Sequence, residues 1–407
     1  MPELLSPAGN REKMIAALRY GADAVYLAAK RFGMRAAADN FDAEQIHEAC
    51  AYASERGKRV YLALNTLPRT EEYGALDQLL CELRGAALSG VICADLGVMA
   101  KVREMLPEIP LHASTQTSIV SAAAAEAYGR LGCRRVVLAR ELTLKDIAAI
   151  RRETSREIEF EAFIHGSMCV SYSGRCLLSQ YLIGRDANRG ACAQPCRWSY
   201  VTAEITEEKR PALPLAVEGN ENGSFILSSA DLCMIEHIPD LMESGIDSFK
   251  IEGRMKSAYY AAVTANAYRM AMDAYTRLGS AYRFDPVWLE ELQSVSHREY
   301  DTGFYYDRPG DAPKLVSMPG YLREKAYLAH ALSDSEGGRA LFCQHNKLIE
   351  GQSAELITPG LPGRRFTVRG LRDGEGNPIP SAPHPMMTFS MEVPFEVKEG
   401  DILRGAE

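Results

Sequence analysis

Ten cysteines occur in this chain, and four of them, Cys169, Cys176, Cys192 and Cys196, fall in one short stretch. Their spacing is C-x6-C, then 15 intervening residues, then C-x3-C. A thiolate is a soft donor, and four on one loop can surround a zinc ion or an iron–sulfur cluster. Zinc sites usually draw on a C-x2-C hook or on closely spaced histidines, and this stretch has neither, His165 being the one imidazole nearby. The wider separations suit a cuboidal cluster that takes ligands from different directions. Spacing alone leaves three readings open: an iron–sulfur cluster, zinc, and unligated thiols. Cys133 and Cys233 are candidate substitute ligands, while Cys50, Cys81 and Cys93 read as small apolar core residues.

Between the outer cysteines, Arg175, Arg185 and Arg189 meet a single acid, Asp186, and Arg197 follows directly. Guanidinium forks bind phosphate bidentately and stack on bases, so this loop is suited to gripping RNA, with Tyr172, Tyr181 and Trp198 as stacking faces. The same arginines would equally offset the negative charge of a thiolate-ligated cluster. Lys plus Arg total 46 against 54 Asp plus Glu, a net charge of −8, so no global cationic field holds nucleic acid and any contact needs a local patch.

These residues need a frame, and the hydrophobic pattern supplies one. Short β-rich runs alternate with Ala-rich segments of helical period, the signature of βα units and a parallel sheet. Eight strands are expected: Glu3 to Ser6, Ala24 to Leu27, Val60 to Asn65, Val91 to Ala94, Leu111 to Ser114, Arg135 to Leu138, Glu159 to Ile164, and Ser248 to Ile251. Gly21, Gly57, Gly90, Gly132 and Gly245 precede several of them and suit helix ends at positive φ. The even rhythm, with no dinucleotide fingerprint after the first strand, favours a (β/α)8 TIM-like barrel over an open doubly wound sheet. A long insertion, about 166–224, follows strand seven and carries all four clustered cysteines to the face where barrel chemistry is found. Pro211 to Pro214 and Glu218 to Gly223 within it read as loop, and Ala258 to Arg277 as helix. The expected domains are a barrel with its insertion and trailing helices over 1–310 and a small all-β domain over 311–407. The latter rests on short alternating segments at Arg339 to Phe342, Ser353 to Ile357, Arg365 to Val368 and Met387 to Glu392.

Polar residues at the C-terminal ends of barrel strands point into a shared mouth. Of these, His165, Arg140, Glu252 and Arg254 are the catalytic candidates. Asn65, Asp95 and Gln116, with Arg175, Arg185 and Arg189 of the loop, are the substrate-binding candidates. The plainer reading is that a barrel needs polar layers to close its core, with Arg254 pairing Glu252 or Asp95.

The run Glu161-Ala162-Phe163-Ile164-His165-Gly166-Ser167-Met168-Cys169, followed by Ser173-Gly174-Arg175-Cys176-Leu177-Leu178-Ser179, resembles the signature of the collagenase-like peptidase family U32. The resemblance continues through Gly184 to Cys192, Gln194-Pro195-Cys196-Arg197-Trp198 and Lys250-Ile251-Glu252-Gly253-Arg254-Met255-Lys256-Ser257. The tail around Ala382-Pro383-His384-Pro385 is similar to the small β domain of many members. Within the family, the sequence looks most like the tRNA hydroxylation members, which implies 5-hydroxyuridine formation at the wobble position with prephenate as oxygen source. Relatives in oxygen-independent ubiquinone hydroxylation carry a [4Fe–4S] cluster on four cysteines. That likeness implies ligands at Cys169, Cys176 and Cys192, with the fourth at Cys196 or Cys233.

The balance of 46% hydrophobic and 25% charged residues over 407 positions excludes a disordered chain, a fibre and a coiled-coil rod. The first residues lack a basic-then-apolar leader and no apolar run is long enough to span a bilayer, so a cytoplasmic protein without a membrane partner is expected. The expected partners are tRNA, prephenate, and either a second copy of the chain or a second family member. Two other functions compete with RNA hydroxylation: a peptidase and a noncatalytic zinc or iron–sulfur subunit. The chain offers no H-E-x-x-H helix, no G-x-S-x-G elbow and no nucleophile–base pair identifiable by spacing, so the sequence gives the peptidase little support.

Overall fold

The computed structural model describes residues 1–34, 39–169, 171–172, 175–198, 219–220, 223–224, 228–307, 321–322 and 325–406. Eight parallel strands form a closed sheet. They are β1 (Glu3–Pro7), β2 (Ala24–Ala28), β3 (Arg59–Leu64), β4 (Gly90–Cys93), β5 (Leu111–Ala113), β6 (Cys133–Val137), β7 (Glu159–Ser167) and, after a short β8 (Asp231–Cys233), β9 (Ser248–Ile251). Each barrel strand pairs with the next, and β9 pairs with both β1 and β7, which closes the barrel and removes its edges. Strands β1, β2, β4 and β5 are buried throughout, as apolar runs covered on both faces must be.

Helices alternate with the strands: α1 (Arg11–Arg19), α2 (Ala43–Ser54), α3 (Tyr73–Glu82), α4 (Leu96–Met105), α5 (Ala122–Arg130) and α6 (Leu144–Glu153). Side-chain caps set their starts. Asp42 and Thr143 each close a reciprocal capping box, and Asp95 and Ser121 accept from the backbone three residues on, satisfying amides that the helix cannot. Gly21, Gly57, Gly132 and Gly245 adopt positive φ as expected, whereas Gly90 lies inside β4 at ordinary φ because the strand begins one residue earlier than the sequence suggests.

After β7 the chain forms α7 (Leu178–Ile183) and returns as β8, which runs antiparallel to the end of β7, placing Cys233 opposite His165. The loop expected at 211–214, most of the 218–223 stretch and the boundary between 310 and 311 lie outside the described residues. Beyond β8 come α8 (Ile238–Glu243), then, after β9, α9 (Ala258–Leu278) and α10 (Pro286–Gln293), with β10 (Tyr300–Asp301) pairing in parallel with β8.

The chain divides into two compact units. The first comprises 1–14, 23–256 and 298–321, and the second 15–22, 257–297 and 322–407. The second holds a seven-stranded antiparallel sheet built from β11 (Tyr327–Ala331), β12 (Arg339–Gln344), β13 (Ser353–Ile357), β14 (Arg364–Thr367), β15 (Arg369–Arg372), β16 (Thr388–Glu392) and β17 (Ile402–Gly405). Its order is β14-β13-β17-β11-β12-β16-β15, and Phe342, Leu356, Phe389 and Leu403 are among its core residues. Within this unit Arg404 is buried between Glu291 and Glu355, at 2.7 and 2.8 Å. Among the described residues no helix is long and apolar enough to cross a membrane.

Candidate functional site

The C-terminal ends of the barrel strands surround a cavity of about 70 Å³. Asn65, Gln116, Arg140, Glu252 and Arg254 line it, together with Tyr26, Met34, Ser114, Phe163 and Lys250. Period-two alternation puts Lys250 and Glu252 on one face at the end of β9. Lys250 Nζ donates to Glu161 Oε1 at 2.7 Å and lies 4.4 Å from the centre of the Tyr26 ring. Tyr26 in turn donates its hydroxyl to Glu252 Oε2 at 3.0 Å and fixes that carboxylate. Burial would raise the pKa of Glu161, and the charges of Lys250 and Arg135 overcome it to hold the group below the ordinary carboxylate value, so it is ionised.

Across the cavity, Asn65 Nδ2 donates to Gln116 Oε1 at 3.4 Å, and Ser114 Oγ donates to the same oxygen. The guanidinium of Arg140 lies 4.1 Å over the Phe163 ring and donates one NH to Ser167 O at 3.1 Å, while its buried Nε has no partner among the described residues. Gly166, at φ +107°, is required where it stands: a Cβ there would meet the carbonyl oxygen of Glu252 at 2.2 Å. That close approach brings the end of β7 against the Glu252 backbone, whose amide donates to His165 O at 2.8 Å.

The cysteine-bearing segment docks beside this mouth. Arg189 grips both oxygens of Glu72 at 2.8 Å, and the hydrogen bond from that fork is the main cause of Glu72's lowered pKa. Gly190, at φ +86°, lies where a Cβ would meet Gly33 O at 2.8 Å, beside Met34 of the cavity wall. Asn188 donates to the carbonyl of Cys176 at 3.2 Å, and Arg197 donates to Met168 O at 3.1 Å. Gln194, at φ +57°, turns the chain between Cys192 and Cys196, and its amide donates to Cys192 Sγ at 3.3 Å.

Burial raises the pKa of Cys196; Arg197 opposes this, and the charges of Cys169, Cys192 and Cys176 raise it further. All four thiols therefore share one electrostatic neighbourhood. Among the described residues, however, no three His, Cys, Asp or Glu side chains are drawn together tightly enough to hold one ion. The donor set fits a thiolate-bound group in its chemistry: four soft ligands, Cys169 and Cys192 exposed and Cys176 and Cys196 part-buried, with arginines alongside.

The mouth thus brings together Asn65, Gln116, Arg140, Glu252 and Arg254. Asp95 is elsewhere, capping α4 through Val98 N at 3.0 Å and accepting from Tyr73 at 2.9 Å. His165 is buried beside Tyr300, with ring centres 5.4 Å apart, and does not line the cavity. Arg175 and Arg185 are exposed, and Arg185 bonds Ala191 O at 2.9 Å. Cys133 is buried near Cys93, and Cys233 is buried on β8. Cys50 and Cys93 are core residues, but Cys81 is exposed because it falls on the outer face of α3.

Two residues escaped the sequence reading. Lys250 was signalled by its two-residue offset from Glu252 along one strand face. Lys256, pushed down to about 8 by burial against the opposing pull of Asp231, sits 4.2 Å over the Tyr321 ring, whose hydroxyl accepts from Arg197. Nothing in its local sequence marks that burial.

The sequence profile of peptidase family U32 matches residues 9–314, and that of the peptidase family U32 C-terminal domain matches 323–404. The tRNA hydroxylation protein P1 of Bacillus subtilis (strain 168) is 35% identical over 404 residues, covering 99% of this chain and 94% of that protein. The tRNA hydroxylation protein P of Escherichia coli (strain K12) is 32% identical, over 98% of this chain and 95% of its own length. An uncharacterized protease of Methanocaldococcus jannaschii is 42% identical over 309 residues, 75% of this chain and 73% of that protein.

Proposed function

The chain belongs to peptidase family U32, and on that premise we propose that it is an RNA-modifying enzyme that hydroxylates tRNA. Relatives matched along nearly their whole length are named for tRNA hydroxylation, which supports the substrate class. In the finer form of the proposal the product is 5-hydroxyuridine at the wobble position, formed without molecular oxygen and with prephenate as oxygen source.

The observation that carries this reading is the match, along nearly the whole chain, to relatives named for tRNA hydroxylation, with Cys169, Cys176, Cys192 and Cys196 borne by the segment that Arg189 ties to Glu72 beside the mouth. These four residues would hold a [4Fe–4S] cluster, and Cys196 is favoured over Cys233 as the fourth ligand because it lies on the same segment as the other three, whereas Cys233 is buried on β8. When bound, such a cluster supplies one-electron transfer.

The chain's own residues supply binding and orientation. An anticodon base must leave its stack to reach a barrel mouth, and Arg175, Arg185 and the rings of Tyr172, Tyr181 and Trp198 are exposed to receive it. Arg140 and Arg254 suit the carboxylates of an organic acid donor, since guanidinium matches carboxylate bidentately. Glu252, held by Tyr26, is placed to accept a proton or to orient a hydroxyl, and the amides of Asn65 and Gln116 can read a base edge.

Nucleoside analysis of tRNA from a deletion strain tests the proposal. Hydroxylated uridine should be absent, return with the wild-type gene, and stay absent with Cys176→Ser. Anaerobically purified protein should carry about four irons per chain. Colourless protein with one zinc would replace the cluster by a scaffold role, and gelatin cleavage that survives chelation and Cys176→Ser would establish the peptidase instead.

A further inference from the structure

A second opening lies on the same face of the barrel as the mouth. It is a cleft of about 320 Å³ between the loops that follow β2 and β3, with Arg189 of the cysteine segment in its wall. The partition between cleft and mouth is one residue thick. Gly33 lines the cleft and Met34 the cavity, and likewise Thr66 lines the cleft and Asn65 the cavity. The Met34 amide donates to Asn65 Oδ1 at 3.3 Å, and the Thr66 amide to the Phe32 carbonyl at 3.3 Å, so the two loops are laced together along that partition. A Cβ on Gly33 would stand 3.6 Å from a guanidinium nitrogen of Arg254, which belongs to the mouth.

The cleft offers one cation and one ring that the described residues do not engage. Its charged lining residues are Lys30, Arg31, Arg189 and Glu72. Arg189 is committed to both oxygens of Glu72, and Lys30 lies 2.9 Å from Asp42. Arg31 is exposed, and its side chain forms no hydrogen bond or ion pair among the described residues. Phe32 is half-buried and makes no ring contact or cation–π pair among them. Its backbone is strained, with φ at +67°, a left-handed conformation that a bulky aromatic residue seldom takes. Such strain persists only where surrounding contacts hold it, and it clusters at sites that clamp a ligand.

We propose that this cleft holds the nucleotide adjacent to the one whose base enters the mouth, with its phosphate on Arg31 and its base on the Phe32 ring. A forked guanidinium beside an aromatic face is the pairing by which unpaired nucleotides are held. The assignment rests on the tRNA reading above and deepens it, because enzymes that extrude one base read its context through the flanking nucleotides. A small organic anion is the poorer occupant. A pocket for one buries most of its surface, whereas Lys30, Arg31 and Leu67 are exposed and leave this cleft open to solvent.

The test uses the full-length chain, purified anaerobically, and a fluorescein-labelled, unmodified anticodon stem-loop RNA. Arg31→Gln should weaken binding several-fold and reduce the slope of log Kd against log salt by about one, since one phosphate contact is lost. Phe32→Leu keeps an apolar side chain without a stacking face and should weaken binding about five-fold or more at an unchanged salt slope. Arg31 is exposed, so its variant stays decisive if Phe32→Leu perturbs the fold. Wild-type binding in either variant overturns the proposal, as does a wild-type chain that fails to bind the stem-loop. Calorimetric binding of succinate that Arg31→Gln abolishes, with RNA affinity intact, assigns the cleft to a small anion and overturns it equally. Nucleoside analysis separates the two readings. If tRNA hydroxylation depends on the chain while the variants bind RNA as the wild type does, only the cleft falls. If both variants lose RNA binding while hydroxylation never depended on the chain, the cleft stands and the enzymatic reading falls.

Discussion

The two ends of the barrel use the same chemical groups to opposite effect. At the N-terminal end, Glu3, Glu159 and Glu161 meet Arg59, Arg135 and Lys250, and the charges balance. Tyr61 and Ser248 complete the shell around Glu3 at 2.7 and 2.8 Å. His112 lies beside this layer and is pushed down to about 3, chiefly by burial and then by Arg135, so it stays neutral. At the C-terminal end, the guanidiniums of Arg140 and Arg254 and the carboxylate of Glu252 are among the described residues that line a cavity. A buried set of ion pairs closes a core, and polar groups arranged around open space can receive a ligand. Lys250 belongs to both, held from below by Glu161 while it lines the cavity.

The strongest way to break this contrast is to remove the floor's central cation. Arg135→Ala would leave Glu3 with Arg59 and Glu161 with Lys250 but the layer one carboxylate in excess, and breaking buried pairs by removing one partner costs about 3–5 kcal/mol. Urea denaturation of the variant should show a loss of that order. A loss below about 1 kcal/mol would mean that water or neighbouring groups already screen the layer, and the distinction between floor and mouth would fail.

A milder perturbation is acid. Glu161 has a folded pKa below its unfolded value, so it stabilises the fold fully above the ordinary carboxylate pKa of about 4.3, and that contribution is lost as pH falls through the folded value. Glu161→Gln should therefore lower stability at neutral pH and flatten the acid limb of the stability curve. An acid limb as steep as that of the wild type would assign the titration to other carboxylates.

The barrel was legible because its signals are local. Each strand is a short apolar run, and the seven-strand rhythm continues to Ser248–Ile251 despite the long excursion after β7. The mouth was legible for the same reason, since a residue just past a strand end points to the axis whatever its neighbours are; Asn65, Gln116, Arg140, Glu252 and Arg254 follow from that rule. Asp95 obeys the rule and still misses the cavity, because the first turn of α4 claims its carboxylate as a cap. The floor was hidden. Glu3, Arg135 and Glu161 stand 132 and 26 residues apart along the chain, and single charged residues inside apolar strands give no sign of their partners. The cysteines were visible by spacing, whereas the anchor Glu72 was not, lying 117 residues from Arg189.

That anchor gives the smallest expected effect and the sharpest test of how the mouth differs from the floor. The Arg189–Glu72 pair has the bidentate geometry of a buried ion pair, but its side chains keep 29% and 33% of their exposure, against 4% and 3% for Arg135 and Glu3. Solvent screening should hold its contribution to global stability to about 0–1 kcal/mol. Its work is local: with Gly190 against Gly33, it ties the cysteine segment to the barrel. Glu72→Ala should leave the urea midpoint nearly unchanged while trypsin cleaves within the 175–197 segment several-fold faster, because proteolysis follows local opening. If cleavage there stays at the wild-type rate, the segment is held by contacts other than this fork.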